Sequence, residues 1–315
     1  MPQGCYVVLH IGTGPSHAEV KSGPPLVVTG TNRFPLSEEI RIERLDEQLA
    51  KRIQTACEPP HYKIDNFLHD RHLYAFLRRA SEAEATKYEG MGELHSLIAL
   101  SRLVRPTSVG DRYSAFILDS GLEDSAIYAI QYKGISPDVF VNKTQRDWLS
   151  VQDGEELRKL MPWLSKTKPM HDRVRRAYWN HDYAMRTAYL DMRLPLVVSG
   201  LEALINVRKN DNKWQFQDRV QQLGKHFGIG LTHDDLSKAY DLRSKIVHAE
   251  SFLYGLGAIL PENQHNSLYD KLECLLRMTV RTCLLDENNF GNFFRDDHDV
   301  EARWLLGSKP KKPKK

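Results

Sequence analysis

The stretch Asp241-Leu242-Arg243-Ser244-Lys245-Ile246-Val247-His248 sets an arginine and a histidine on one segment whose apolar residues recur at helical spacing. Leu242, Ile246 and Val247 form its apolar side. Residues four apart stack on a helix face, so Ser244 lies beneath His248, and the long Arg243 side chain swings to the same patch. A guanidinium grips a phosphate through paired hydrogen bonds, and an imidazole exchanges a proton near neutral pH. Just upstream, Thr232-His233-Asp234-Asp235 is an N-cap cluster that opens the helix.

Working outward, the chain from Asp153 onward reads as nearly pure helix. The segments are Glu155–Leu164, Met170–Met192, Leu194–Val207 with Pro195 in its first turn, and Trp214–Phe227 with Gly228 as its stop signal. The Arg/His helix, Gln264–Leu284 and a short Val300–Leu306 helix complete the series. On Met170–Met192 the apolar stripe is Val174, Ala177, Tyr178, Met185, Ala188 and Tyr189. About five helices joined by short loops make an up-and-down bundle.

The first half is mixed. Tyr6–Leu9 and Leu26–Val28 are β-branched runs between Gly/Pro/Ser-rich turns and read as strands. Leu36–Ala56, Phe67–Ala80 and Met91–Val104 carry helical spacing, and Tyr113–Leu118, Ala126–Tyr132 and Val139–Val141 read as strands. The fold class is therefore an α+β domain over residues 1–152, an all-α bundle over 153–306 and a disordered basic tail over 307–315. Gly12-Thr13-Gly14 reads as a turn rather than a phosphate cradle, because no third glycine or helix follows. The pair His69 and His72 reads as a solvated helix face, since no third metal ligand stands near it.

Composition narrows the function. At 315 residues, 41% hydrophobic and 27% charged, the chain suits two ordinary globular domains. The net charge of +3 owes much to the five lysines of Lys309-Pro310-Lys311-Lys312-Pro313-Lys314-Lys315, without which the body is slightly acidic. Any nucleic-acid site must be a local patch. The four cysteines (Cys5, Cys57, Cys274, Cys283) form no zinc-type cluster, and no metal or other cofactor is expected. Ile11-Gly12-Thr13-Gly14-Pro15 interrupts any signal-peptide core, and no apolar run approaches a membrane span. The expectation is a cytoplasmic protein with no membrane partner.

Three segments taken together, Leu201-Glu202-Ala203-Leu204-Ile205, Phe216-Gln217-Asp218-Arg219-Val220-Gln221-Gln222-Leu223 and Tyr240 through His248, resemble the HEPN superfamily and are most similar to its ApeA-like branch. The resemblance runs from about Met170 to Leu285. It implies a helical bundle of four to five helices that dimerises with two Arg/His elements face to face. It also implies a metal-independent endoribonuclease of toxin–antitoxin, abortive-infection or antiphage systems. Carried over by position, Arg243 binds the scissile phosphate and His248 is the acid/base residue. The family often has Asn, Asp or His after the arginine; Ser244 stands there here and orients an imidazole less firmly. One branch carries a tyrosine two residues after the histidine, a position that is Glu250 in this chain.

The resemblance leaves a second reading open, a non-catalytic HEPN module that binds RNA or a protein. Around the motif, Ser244, Asp241 and Lys245 are supporting candidates. Glu202, in an apolar helix, pairs with Arg243 or Lys245 or merely supports the structure. Arg173, Arg175, Arg176, Arg186 and Arg193, with Tyr178, Trp179 and Tyr183 interleaved, form either a solvated face or an RNA-binding surface, in which Arg175, Arg176 and Trp179 are the RNA-binding candidates. The expected partners are RNA, a second copy meeting along the Arg/His and Met170–Met192 helices, and a trigger or antitoxin protein sensed by the N-terminal domain.

Overall fold

Among the described residues, strands and helices are mixed in the first part of the chain and the second part is helical. The computed structural model describes residues 5–13, 33–45, 47–57, 74–81, 90–106, 109–118, 126–132, 150–164, 170–187, 190–205, 212–247 and 262–294. It divides into two compact units, Met1–Lys168 and Pro169–Lys315.

The first unit holds strands β1 (Cys5–Thr13), β2 (Arg33–Pro35), β3 (Ile40–Arg44), β4 (Tyr74–Ala80), β5 (Val109–Leu118) and β6 (Ala126–Tyr132), with helices α1 (Glu47–Cys57), α2 (Met91–Val104) and α3 (Val151–Leu160). The strands form one antiparallel sheet in the order β2-β3-β4-β1-β5-β6. β1 lies inside it, with Val7 opposite Arg78 on one side and Phe116 on the other. Successive strand residues point to opposite faces. Ala75, Leu77, Ala115 and Ile117 therefore share one face, where Ala50, Ile53 and Cys57 of α1 cover them. Phe76 and Phe116, on the opposite pleat, are buried too, and α2 packs on the same strands.

Several expectations change here. The helix expected over Leu36–Ala56 is strand β3 followed by α1. Ile40 and Ile42 are both buried and fit a period of two as well as they fit a helix, and β3 pairs with β4. Tyr74–Ala80, expected to be helical, is a strand held between β3 and β1. Gly12 and Thr13 form no turn; they end β1 opposite Gly110 and Val109. The expected strands Leu26–Val28 and Val139–Val141, the His69/His72 pair and the short Val300–Leu306 helix lie outside the described residues.

The unit boundary also moves, from Asp153 to Lys168. α3 opens on a reciprocal cap, in which Ser150 accepts from the Asp153 N–H and Asp153 accepts from the Ser150 N–H. Three contacts then tie it into the first unit. Arg105 pairs with Asp153 at 2.8 Å, Arg158 donates to the Pro35 carbonyl at 2.6 Å, and the Arg158 guanidinium sits 5.0 Å from the Phe34 ring centroid. Gly154 permits this approach, since a Cβ there would stand 2.7 Å from the Phe34 ring.

The second unit contains α4 (Asp172–Arg186), α5 (Leu190–Ile205), α6 (Asn212–His226), α7 (His233–Val247) and α8 (Glu262–Leu285), followed by a π-helical turn at Glu287–Gly291. α5 is the hub, packed against the other four helices. Its sequence is apolar nearly all round because it is enclosed; Leu194, Val197, Val198, Leu201, Leu204 and Ile205 are all buried. The single helix expected over Met170–Met192 is two, broken at Thr187, whose backbone is extended. Buried Arg193 reaches back to donate its Nε–H to the Thr187 carbonyl, occupying an acceptor that the break exposes. Pro195 consequently stands in the second turn of a helix that begins at Leu190. Gly228 ends α6 with φ 68°, and the Ile229 N–H closes on the Gly224 carbonyl at 2.8 Å. Thr232 and Asp235 then cap α7 reciprocally.

Candidate functional site

α7 is anchored by Leu236, Ala239 and Leu242, all fully buried. Those positions recur at helical spacing and fix which side of the helix is left for polar groups. Arg243 leaves α7 toward α5, where its Nη2 lies 3.1 Å from Oε2 of Glu202. The two side chains are 28% and 15% exposed, so the pair sits at the edge of the core with access to solvent. Of the two partners open to Glu202 in the sequence, the structure selects Arg243. Burial pushes the Glu202 carboxyl above its ordinary value, and the Arg243 charge pulls it back only in part. The Arg243 Nε is buried and has no hydrogen-bond partner among the described residues.

Asp241 serves a different contact. Both of its carboxylate oxygens accept from Lys213 Nζ at 2.7 Å, joining α7 to α6. Tyr240 adds a ring contact with Phe216 at 5.5 Å between centroids. Asp241 thus holds the helix in place rather than facing Arg243. Ser244 is half-buried and Lys245 exposed. α7 is described to Val247, and His248 lies just beyond the described residues.

The arginine-rich helix sorts into buried and exposed members. Arg173 and Arg193 are buried, and Arg186 pairs with Asp182 at 2.8 Å. Arg175 and Arg176 are exposed, and Trp179 and Tyr183 are each about half exposed beside them. Tyr178 is buried in the apolar stripe, as its spacing requires.

One cluster escaped the sequence reading. Glu273 Oε1 on α8 accepts from His181 Nε2 of α4 at 2.8 Å and from Arg277 Nε at 3.0 Å, with all three side chains buried. Burial raises the Glu273 carboxyl, but the Arg277 charge and the His181 hydrogen bond outweigh it and leave the group below its ordinary value. The Glu-x3-Arg spacing marks an intrahelical pair; His181 enters only through the packing of α4 on α8. Among the described residues no group of three His, Cys, Asp or Glu side chains is placed to hold a metal, and no helix is long and apolar enough to cross a membrane.

Compared with known proteins, the chain matches no family model, no curated protein and no solved structure.

Proposed function

We propose that the chain is a HEPN-type, metal-independent endoribonuclease, acting as a dimer in antiphage defence or as a toxin. The observation that supports it best is the setting of Arg243. Its guanidinium stands at the solvent edge of a rigid helix, held by the Glu202 carboxylate, an oxyanion of the kind a phosphate would present.

In this reading the 2′-hydroxyl of RNA loses a proton to the His248 imidazole of one protomer and attacks the adjacent phosphorus. The 5′-oxygen leaves with a proton from the partner's His248. The products are a 2′,3′-cyclic phosphate and a 5′-hydroxyl end. The nucleophile is internal to the substrate, which is why the step requires no activated water. Arg243 from each protomer offsets charge on the phosphorane. A two-fold axis supplies base and acid from one motif. Each positioned proton transfer contributes roughly 10²–10⁴-fold.

A second reading, a non-catalytic HEPN module that binds RNA or a protein, is favoured by the same ion pair, since Glu202 already neutralises Arg243. Growth of a bacterial host expressing the chain distinguishes a toxin from a scaffold or a triggered enzyme. Arrest relieved by His248→Ala supports catalysis. Direct assay of RNA ends tests the chemistry itself: cyclic phosphate supports the nuclease, and RNA retention without turnover supports the module.

A further inference from the structure

The outer face of α4 presents Arg175, Arg176, Trp179 and Tyr183 in successive turns, all exposed. Trp179 and Tyr183 are 50% and 52% exposed, large values for rings that carry this much apolar surface. Their centroids are 6.0 Å apart with a 33° tilt, so the two rings form a short platform. Buried Tyr178 meets Trp179 edge-on at 6.4 Å and braces it from below. Arg175 pairs with Asp172 at 2.6 Å, while Arg176 forms no ion pair among the described residues.

We infer that this face is a binding track for single-stranded RNA, with bases on Trp179 and Tyr183 and phosphates on Arg176 and Arg175. The surface chemistry selects that occupant. Every base has a π-face that stacks on an aromatic ring, and each phosphate matches a guanidinium. A duplex keeps its bases stacked about 3.4 Å apart and hidden from such a platform, so the bases must be unpaired. A second copy of the chain fits this face poorly, so the dimer expected along the Met170–Met192 segment leaves it free. The face carries two guanidiniums, and its exposed carboxylate, Asp172, is already held by Arg175, so it offers a like-charged copy no free anion. The choice of RNA over DNA rests on the proposed nuclease reading; the stacking site does not.

The test is binding of fluorescein-labelled oligouridine, about a dozen nucleotides long to span such a site, to the full chain carrying His248→Ala so that no cleavage intervenes. Adding Trp179→Ala weakens binding by about tenfold or more, and Trp179→Phe retains most of it. Arg175→Ala with Arg176→Ala lowers the slope of log affinity against log salt by a little over one, as expected for two lost contacts on a single strand. Equal affinity with and without Trp179→Ala overturns the inference. So does equal competition by a duplex of the same length. A change of mass in light scattering for Trp179→Ala/Tyr183→Ala, with unchanged RNA affinity, overturns it too and gives the face to a second copy. Trp179-dependent binding without cleavage in the parent chain keeps the track and removes the nuclease; cleavage with Trp179-independent binding does the reverse.

Discussion

Arg243 Nη2 and Glu202 Oε2 stand 3.1 Å apart, bridging α7 and α5 at the rim of the helical core. The carboxylate holds the guanidinium and, if Arg243 binds phosphate as proposed, competes with a phosphate oxygen for it. Glu202→Gln keeps the shape and removes the competing charge. In a His248→Ala background, Glu202→Gln is expected to tighten RNA binding several-fold, read by fluorescence anisotropy. Unchanged or weaker binding would mean that Glu202 does not compete for Arg243.

The same pair carries a pH dependence. Burial raises the Glu202 carboxyl above 4.5, so it takes up its proton in milder acid than a free carboxyl does. Because the folded value is raised, this group's contribution to stability is present at low pH and is lost as pH rises through the folded value. Its protonation also releases Arg243. RNA affinity of the His248→Ala chain should therefore rise as pH falls toward the carboxyl range, more steeply than in His248→Ala/Glu202→Gln. Parallel pH profiles for the two would refute the coupling.

Glu273 has the opposite sign. Its folded value is lowered, so its stabilising contribution is present above 4.5 and is lost as pH falls below that through the folded value. Glu273→Gln leaves Arg277 and His181 without their anion in a buried setting. It should cost on the order of 3 kcal/mol at neutral pH in urea denaturation and flatten the acid limb of stability. A change of a few tenths would show that the cluster is not coupled.

The cap of α7 should matter to the site it carries. Thr232→Ala removes an acceptor from the Asp235 N–H. It is expected to cost about 1 kcal/mol, lowering Tm by roughly 2–4 °C. An unchanged melting curve would mean that the cap contributes nothing to α7.

What local sequence shows of this molecule is uneven for physical reasons. Gly228 and Thr232 declare the end of α6 and the start of α7, because caps are short-range chemistry. The break at Thr187 is hidden, since Met185, Ala188 and Tyr189 keep helical spacing across it and the residue that satisfies the Thr187 carbonyl is Arg193. β3 and β4 were concealed by apolar pairs that fit either period; only pairing with distant strands decides them. α3 resembles the helices that follow it in composition, yet Phe34 and Arg105, remote in sequence, place it in the first unit. Arg243 was legible as a candidate from its motif, whereas its pairing with Glu202 rather than Lys245 depends on how α7 crosses α5.

That placement of α3 is itself testable. Gly154→Ala drives a Cβ to 2.7 Å from the Phe34 ring and should cost about 1–3 kcal/mol. Hydrogen exchange should quicken in peptides covering β2, α2 and α3 and stay unchanged in α5 and α7. Faster exchange confined to α5 and α7 would put the helix in the wrong unit.

The most direct test of the central claim is the chemistry of the RNA ends. Purified protein is incubated with mixed RNA in EDTA across mildly acid to mildly basic pH, and the product ends are mapped. The account predicts 2′,3′-cyclic phosphate and 5′-hydroxyl ends, with the rate falling by about 10²-fold or more in His248→Ala and sharply in Arg243→Lys. Absence of cyclic phosphate throughout that range, or cleavage undiminished in His248→Ala, would contradict it.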